Sequence, residues 1–205
     1  MCGITGFISP ELNQTHLQSI TRELQHRGPD AEGFFFSKTK DRNIGLGHRR
    51  LSILDLSEAA NQPFRSRDGR YTMVFNGEVY NFKEVAGKYK IETRTSSDSE
   101  VIIEAFSQSG VQCLNDFNGM FAIAIWDNVE ERLFLVRDRF GVKPLVYYKS
   151  GKHFAFASEL KAILKLPVKK EINQAALQDY FFSRKTSCKR KTLLLDAFHK
   201  RQRPK

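Results

Sequence analysis

Met1-Cys2-Gly3-Ile4-Thr5-Gly6-Phe7-Ile8 opens the chain. Ile4, Phe7 and Ile8 make Cys2–Ile8 a short buried strand, and Ser9-Pro10 ends it, because proline cannot donate to a continuing ladder. Gly3 and Gly6 would weaken an ordinary strand, so they point to a close approach by backbone or ligand. The second feature is chemical. Methionine aminopeptidases remove Met1 when a small residue follows, and cysteine is small enough. Cys2 would then carry a thiol and an α-amine on one residue. An α-amine titrates near ~8, far below a lysine, so part of it is an unprotonated base at neutral pH. It can take the thiol proton and later return it to a leaving amine, as in other activated nucleophiles. Met-Cys-Gly alone, however, also fits an arbitrary second residue.

Working outward, Leu17, Ile20 and Leu24 have helical spacing, which predicts a helix from Leu12 to about Gln25 stopped by Gly28-Pro29. Strand-like runs follow at Gly33–Ser37, Ile44–His48 and Tyr71–Phe75, with a loop through Asn61-Gln62-Pro63. Ser97 with Glu100 three places on has the spacing of a capping box. Val101, Ile102, Ala105 and Phe106 supply the apolar face of that helix, and Gly110 closes it. Met120–Trp126, Arg132–Arg137, Leu145–Lys149 and His153–Ala157 read as successive strands. Short helices are expected over Ser158–Lys165 and Asn173–Phe182. Two packed sheets with helices outside would bury all these faces, an α+β arrangement.

Composition narrows the classes of function. The chain has 205 residues, 40% of them apolar and 17 of them Phe, enough for one sizeable core. No apolar run approaches the ~20 residues of a membrane span, and the first twenty residues lack the marks of a secretory signal. A cytoplasmic protein is expected. Cys2, Cys113 and Cys188 are then reduced thiols rather than a disulfide framework. No Cys or His pair has zinc-ligand spacing, so no metal is expected. The net charge of +10 is concentrated: nine Lys or Arg and one Asp lie from Arg184 onward, leaving +2 for residues 1–183. A basic tail beside a near-neutral body argues against a nucleic-acid-binding domain.

A resemblance emerges when the motifs are taken together. Met1-Cys2-Gly3-Ile4-Thr5-Gly6 resembles the start of class II glutamine amidotransferases. Arg27-Gly28-Pro29-Asp30, Gly47-His48-Arg49-Arg50-Leu51-Ser52-Ile53, Asn61-Gln62-Pro63 and Phe75-Asn76-Gly77-Glu78-Val79-Tyr80-Asn81 are similar to the glutaminase half of glutamine-hydrolysing asparagine synthetases. So are Ser97-Asp98-Ser99-Glu100, Asn118-Gly119-Met120-Phe121-Ala122, Arg137-Asp138-Arg139-Phe140-Gly141-Val142-Lys143-Pro144-Leu145 and Ala157-Ser158-Glu159-Leu160-Lys161. The resemblance implies a four-layer α-β-β-α sandwich of the N-terminal-nucleophile hydrolase type, with mostly antiparallel sheets, over residues 1–182. Residues 183–205 form a basic tail, expected to be poorly ordered.

The same resemblance implies roles. Cys2 is the nucleophile, and a γ-glutamyl thioester forms and is hydrolysed to glutamate. The Asn76 side-chain NH2 and the Gly77 N–H are oxyanion donors. Arg50 holds the substrate carboxylate through its planar fork. Asp98 takes the ammonium, helped by Glu78 and by backbone along Leu51, Ser52, Ile53 and Leu54. Alternatives remain beside these roles. Asn76-Gly77 is also the strongest short hairpin signal, and Asp98 stands where a helix N-cap would. His48 is read as structural, Cys113 as a buried small hydrophobe, and Asp138, Arg139 and Lys143 as braces of a loop. The Phe34–Phe36 run is read as strand core.

A synthetase half with a glycine-rich pyrophosphate loop does not follow in these residues, so ATP and Mg would belong to an absent domain and no cofactor is expected here. The expected partners are glutamine as substrate and a separate synthetase chain receiving ammonia, with no membrane or nucleic acid; homo-oligomers are left open. The competing reading is a catalytically silent remnant serving as an interaction module.

Overall fold

The computed structural model describes residues 1–52 and 61–170. Ile53, Leu54, the expected helix over Asn173–Phe182 and the basic tail lie outside the described residues. Strand β1 (Gly3–Ser9) is followed by helix α1 (Gln14–Arg22), β2 (Ala31–Lys38), β3 (Asn43–Arg50), the short β4 (Phe64–Arg65) and β5 (Tyr71–Val79). Then come α2 (Phe82–Tyr89), α3 (Asp98–Ser109), a 3₁₀ segment (Gly110–Asp116), β6 (Gly119–Asp127) and β7 (Arg132–Arg137). The strands β8 (Val146–Ser150) and β9 (His153–Ala157) and the short α4 (Leu160–Ile163) complete the described fold.

Two antiparallel sheets result, ordered β2-β3-β1-β9-β8 and β4-β5-β6-β7. Alternation along each strand sorts the apolar residues into three layers. Ile4, Leu46, Val74, Ala124, Trp126 and Phe156 point between the sheets. Phe7, Ala155 and Ala157 point the other way, against Leu17 and Ile20 of α1 and Ile163 of α4. Met73, Phe75, Ile123 and Ile125 meet Val101, Ile102 and Phe106 of α3 on the far side of the second sheet. The fold is therefore the expected α-β-β-α sandwich. Among the described residues, no helix is long and apolar enough to cross a membrane.

Several local expectations change. Helix α1 ends at Arg22, six residues before Gly28, and the chain continues in tight i→i−3 turns from Thr21 to Gly28. Those turns bring the Gly28 carbonyl to Arg49, whose Nε donates to it at 2.9 Å. Helix α2, in a stretch for which no element is expected from sequence, carries Phe82, Val85, Ala86 and Tyr89 at the i, i+3, i+4, i+7 spacing of an amphipathic helix. At α3, Ser97 is the N-cap and accepts from the Ser99 N–H at 3.2 Å. The capping box does not close, because the buried Glu100 carboxylate accepts the N–H groups of Arg94 and Thr95 instead, at 2.8 and 2.9 Å. A fully buried carboxylate needs several donors, and the loop before the helix offers more than one cap position can.

Asn76-Gly77 is not a hairpin turn. Both residues sit inside β5, opposite Ala122 and Phe121 of β6. Glycine is needed there because a Cβ on Gly77 would lie 2.2 Å from the Met120 carbonyl oxygen. Cys113 is fully buried in the 3₁₀ segment, and burial pushes its thiol up to about 12. Phe35 joins the inter-sheet core while Phe34 and Phe36 pack on the α1 side, as strand alternation requires.

The tight packing at β1 is testable. A Cβ on Gly6 would fall 2.5 Å from the Phe156 ring and 2.6 Å from the Gly45 carbonyl oxygen. Gly6→Ala should cost about 1–3 kcal/mol of stability, read as a lower urea midpoint with an unchanged slope.

Candidate active site

The alternation that builds the inter-sheet core also aims polar side chains into the same slot near one end. Cys2 follows the parity of Ile4, His48 and Arg50 that of Leu46, and Asn76 and Glu78 that of Val74. With Asp98, Gln62 and Lys143 they line a cleft of about 260 Å³, sized for an amino-acid ligand rather than a drug-sized one.

Cys2 is held from both sides. Arg27 donates from Nε to the Cys2 carbonyl at 3.0 Å and pairs through a terminal nitrogen with Glu159 at 2.9 Å. The Leu51 N–H meets the Cys2 Sγ at 3.5 Å, and the Leu51 carbonyl accepts from it at 3.7 Å. Met1 also lines the cleft, so its removal would open the approach to Cys2.

Asn76 is 1% exposed, and its Nδ2 has no hydrogen-bond partner. A buried amide donor left unsatisfied costs free energy, which is characteristic of a group kept for a ligand. The Gly77 N–H is aimed by register. Phe121, which faces Gly77, exchanges its N–H and C=O with Asp138 on its other side. In an antiparallel ladder that makes Phe121 and Gly77 a non-hydrogen-bonded pair, so the Gly77 N–H points to the open side of β5. Its neighbours on that side confirm the direction: the Phe75 N–H donates to Gln62 Oε1 at 2.6 Å and the Val79 N–H to Asp98 Oδ2 at 2.9 Å.

Two charged anchors flank these donors. Arg50 is buried and one guanidinium nitrogen donates to Asn61 Oδ1 at 2.6 Å. Asp98 is the first residue of α3, not its cap, and burial followed by the charge of Glu78 raises its carboxyl to about 6, against the pull of the Val79 N–H. Such a site favours a cation. His48 is buried beneath the cleft; burial lowers its ring to about 3, so it is neutral, and its Nε2 has no partner.

Of the residues singled out from sequence, Cys2, Arg50, Leu51, Asn76, Gly77, Glu78 and Asp98 share the cleft. Ser52 does not line it; its N–H donates to Asp30 Oδ2 at 2.8 Å. Two further residues that the motifs do not assign to the site also line the cleft. Gln62 joins β5 to α3 by also donating to Ser99 Oγ at 3.4 Å, and Lys143 turns into the cleft although it was read as a loop brace. The bracing falls to Asp138, whose carboxylate accepts four backbone N–H groups, those of Phe121, Phe140, Val142 and Lys143.

A family model described as a glutamine amidotransferase domain matches residues 1–199. The chain belongs to this family. Among its relatives, a putative glutamine-hydrolysing asparagine synthetase of Methanocaldococcus jannaschii is 41% identical, over 88% of this chain and 39% of that protein. Asparagine synthetase 2 of Bacillus subtilis is 40% identical over 82% of this chain and 23% of its own length. The chain thus spans less than half the length of the curated relatives it matches. In structure it is similar to glutamine phosphoribosylpyrophosphate amidotransferase from B. subtilis, with a TM-score of 0.65 at 20% identity over 79% of this chain and 43% of that one. An allosteric regulatory enzyme of purine biosynthesis gives a TM-score of 0.67 at 20% identity, over 80% of this chain and 43% of that one. These likenesses support the amidotransferase fold.

Asp98 sets a pH expectation. With its carboxyl at about 6, it is anionic above that pH and neutral below. If glutamine sets its ammonium against Asp98, its binding to the Cys2→Ala protein should therefore weaken as pH falls through 6, by up to about tenfold per unit. Calorimetric titrations between pH 5 and 8 would show this, and Asp98→Asn should flatten the profile at uniformly weak affinity.

Proposed function

We propose that this amidotransferase domain hydrolyses the side-chain amide of glutamine through a thioester on Cys2. Removal of Met1 leaves the Cys2 α-amine as the base. It takes the Sγ proton, and Sγ attacks the amide carbon. The oxygen of the tetrahedral adduct takes up the negative charge between Asn76 Nδ2 and the Gly77 N–H. The carbon–nitrogen bond then breaks, and the ammonium of Cys2 returns the proton to the departing nitrogen as ammonia. Water, deprotonated by the same amine, attacks the thioester; the carbon–sulfur bond breaks, glutamate leaves, and the ammonium returns its proton to Sγ. Arg50 binds the substrate carboxylate and Asp98 its ammonium, with Glu78, Leu51, Ile53 and Leu54 completing the contacts.

The observation that carries this reading is the unpartnered, buried Nδ2 of Asn76 in the cleft that also holds Cys2. Donors fixed in place before the charge develops lose no energy to reorganisation, which is the basis of oxyanion stabilisation. The neutral His48 has no catalytic role in this scheme, because the α-amine already supplies the base. The names of the longer relatives point to the fate of the ammonia. It is passed to a synthetase unit that makes asparagine from aspartate, on the same polypeptide or a partner chain, in the cytoplasm.

The test is the intact mass of the purified protein before and after 6-diazo-5-oxo-norleucine, a glutamine-like alkylator. Loss of Met1 with one adduct on Cys2 is expected. Asn76→Ala should lower the rate of glutamate formation by about 10²–10³ while leaving KM within a few-fold. Retained Met1, or no adduct on folded protein lacking it, would instead make the chain an interaction module.

A further inference from the structure

The loop from Asp138 to Lys143 buries and exposes the wrong residues for a structural turn. Phe140 is 92% exposed and Val142 57%, while Lys143 is 6% exposed. Lysine is among the residues least often buried, and phenylalanine among those most often buried. The loop is nevertheless firmly built. Besides the four N–H groups taken by Asp138, Arg137 donates from Nε to the Lys143 carbonyl at 2.7 Å and from a terminal nitrogen to the Gly141 carbonyl at 2.6 Å. Burial works against the Asp138 anion, but these backbone donors prevail and hold its carboxyl below the ordinary range. Gly141 permits the turn with φ +64°. The whole device fixes one side chain, which runs into the cleft.

There the Lys143 ammonium meets a single polar partner among the described residues, the Met1 thioether sulfur at 3.6 Å. A thioether is a weak acceptor, and a buried ammonium without a carboxylate is costly. Met1 directly precedes Cys2, so the ammonium stands against the side chain whose removal opens the approach to Cys2, in the cleft that Cys2 also lines. The other charged groups lining the cleft are Arg50 on β3, Glu78 on β5 and Asp98 on α3, with His48 neutral below them.

We propose that Lys143 is a positioning residue for the nucleophile: freed of Met1, its ammonium faces Cys2 and draws anionic groups to its sulfur. This rests on the reading of Cys2 as the nucleophile. A fixed cation in the cleft that holds a nucleophile raises the local potential and attracts anionic reagents, with no proton passing between the two groups.

Charge at Cys2 can be read without turnover by comparing iodoacetate with iodoacetamide. In both, the Cys2 sulfur forms a bond to the methylene carbon and iodide leaves, but only iodoacetate is an anion. Peptide mapping distinguishes Cys2 from Cys113 and Cys188. In Lys143→Gln, the iodoacetate-to-iodoacetamide rate ratio at Cys2 should fall roughly three- to tenfold. Lys143→Arg should restore the ratio. Lys143→Met, which keeps the length and packing without the charge, should behave like Lys143→Gln, and a melting curve shows that each variant is folded. An unchanged ratio in folded Lys143→Gln and Lys143→Met would overturn the proposal. A wild-type protein that takes no 6-diazo-5-oxo-norleucine adduct would instead overturn the nucleophile reading itself.

Discussion

The site depends on the pairing of β1 at the centre of its sheet. Bonded to β3 on one side and β9 on the other, β1 has no freedom of register: Ile4 faces His48, and Phe7 faces both Gly45 and Ala155. A slip of one residue would turn Ile4 outward and Phe7 into the slot. The burial of these two side chains, each fully inaccessible, therefore fixes where Cys2 points. The thiol is aimed by hydrophobic residues two and five places along the chain, and the Arg27 bond to the Cys2 carbonyl then holds the segment at the sheet's end.

The second sheet supplies what the first lacks. Strand β5 presents Asn76 and Glu78 towards Cys2 by the same alternation, while its open edge offers backbone N–H groups in a row. Gln62 takes the one from Phe75 and Asp98 the one from Val79, with Gly77 between them. Asp98 is thus tied to the strand bearing the donors as well as to α3. Glu100, two residues on, fastens the loop before the helix by taking the Arg94 and Thr95 N–H groups. The polar groups of the cleft therefore sit on elements joined by direct hydrogen bonds, the rigidity that a preorganised site needs.

The 138–143 loop adds a further cost of function to the fold. Exposing Phe140 and burying Lys143 lowers stability on both counts, and the network of Asp138 and Arg137 offsets it. Local arrangements that break ordinary burial rules and are nonetheless over-determined are where function is concentrated. The unsatisfied Asn76 Nδ2 belongs to the same pattern.

By itself, the sequence pointed to two packed sheets through its strand-like runs, to the four-layer sandwich through its resemblance, and to Cys2 through a small second residue that can bear both nucleophile and base. Its ordered motifs pointed to Arg50, Asn76, Gly77, Glu78 and Asp98 together. What it could not decide lay in contacts between residues far apart in the chain. Asn76-Gly77 reads locally as a turn, because the dipeptide tolerates one; only the approach of Met120 and Phe121 on β6 makes it a strand and turns the Gly77 N–H outward. Ser97 and Glu100 have capping-box spacing, but the buried Glu100 found better donors in the folded loop. Lys143 looked like a brace, since nothing in its neighbours reveals which way a loop side chain will turn. Periodicity is a property of the chain and can be read along it. The direction of a donor and the environment of a charge depend on which distant strand arrives beside them, and only the tertiary structure decides that.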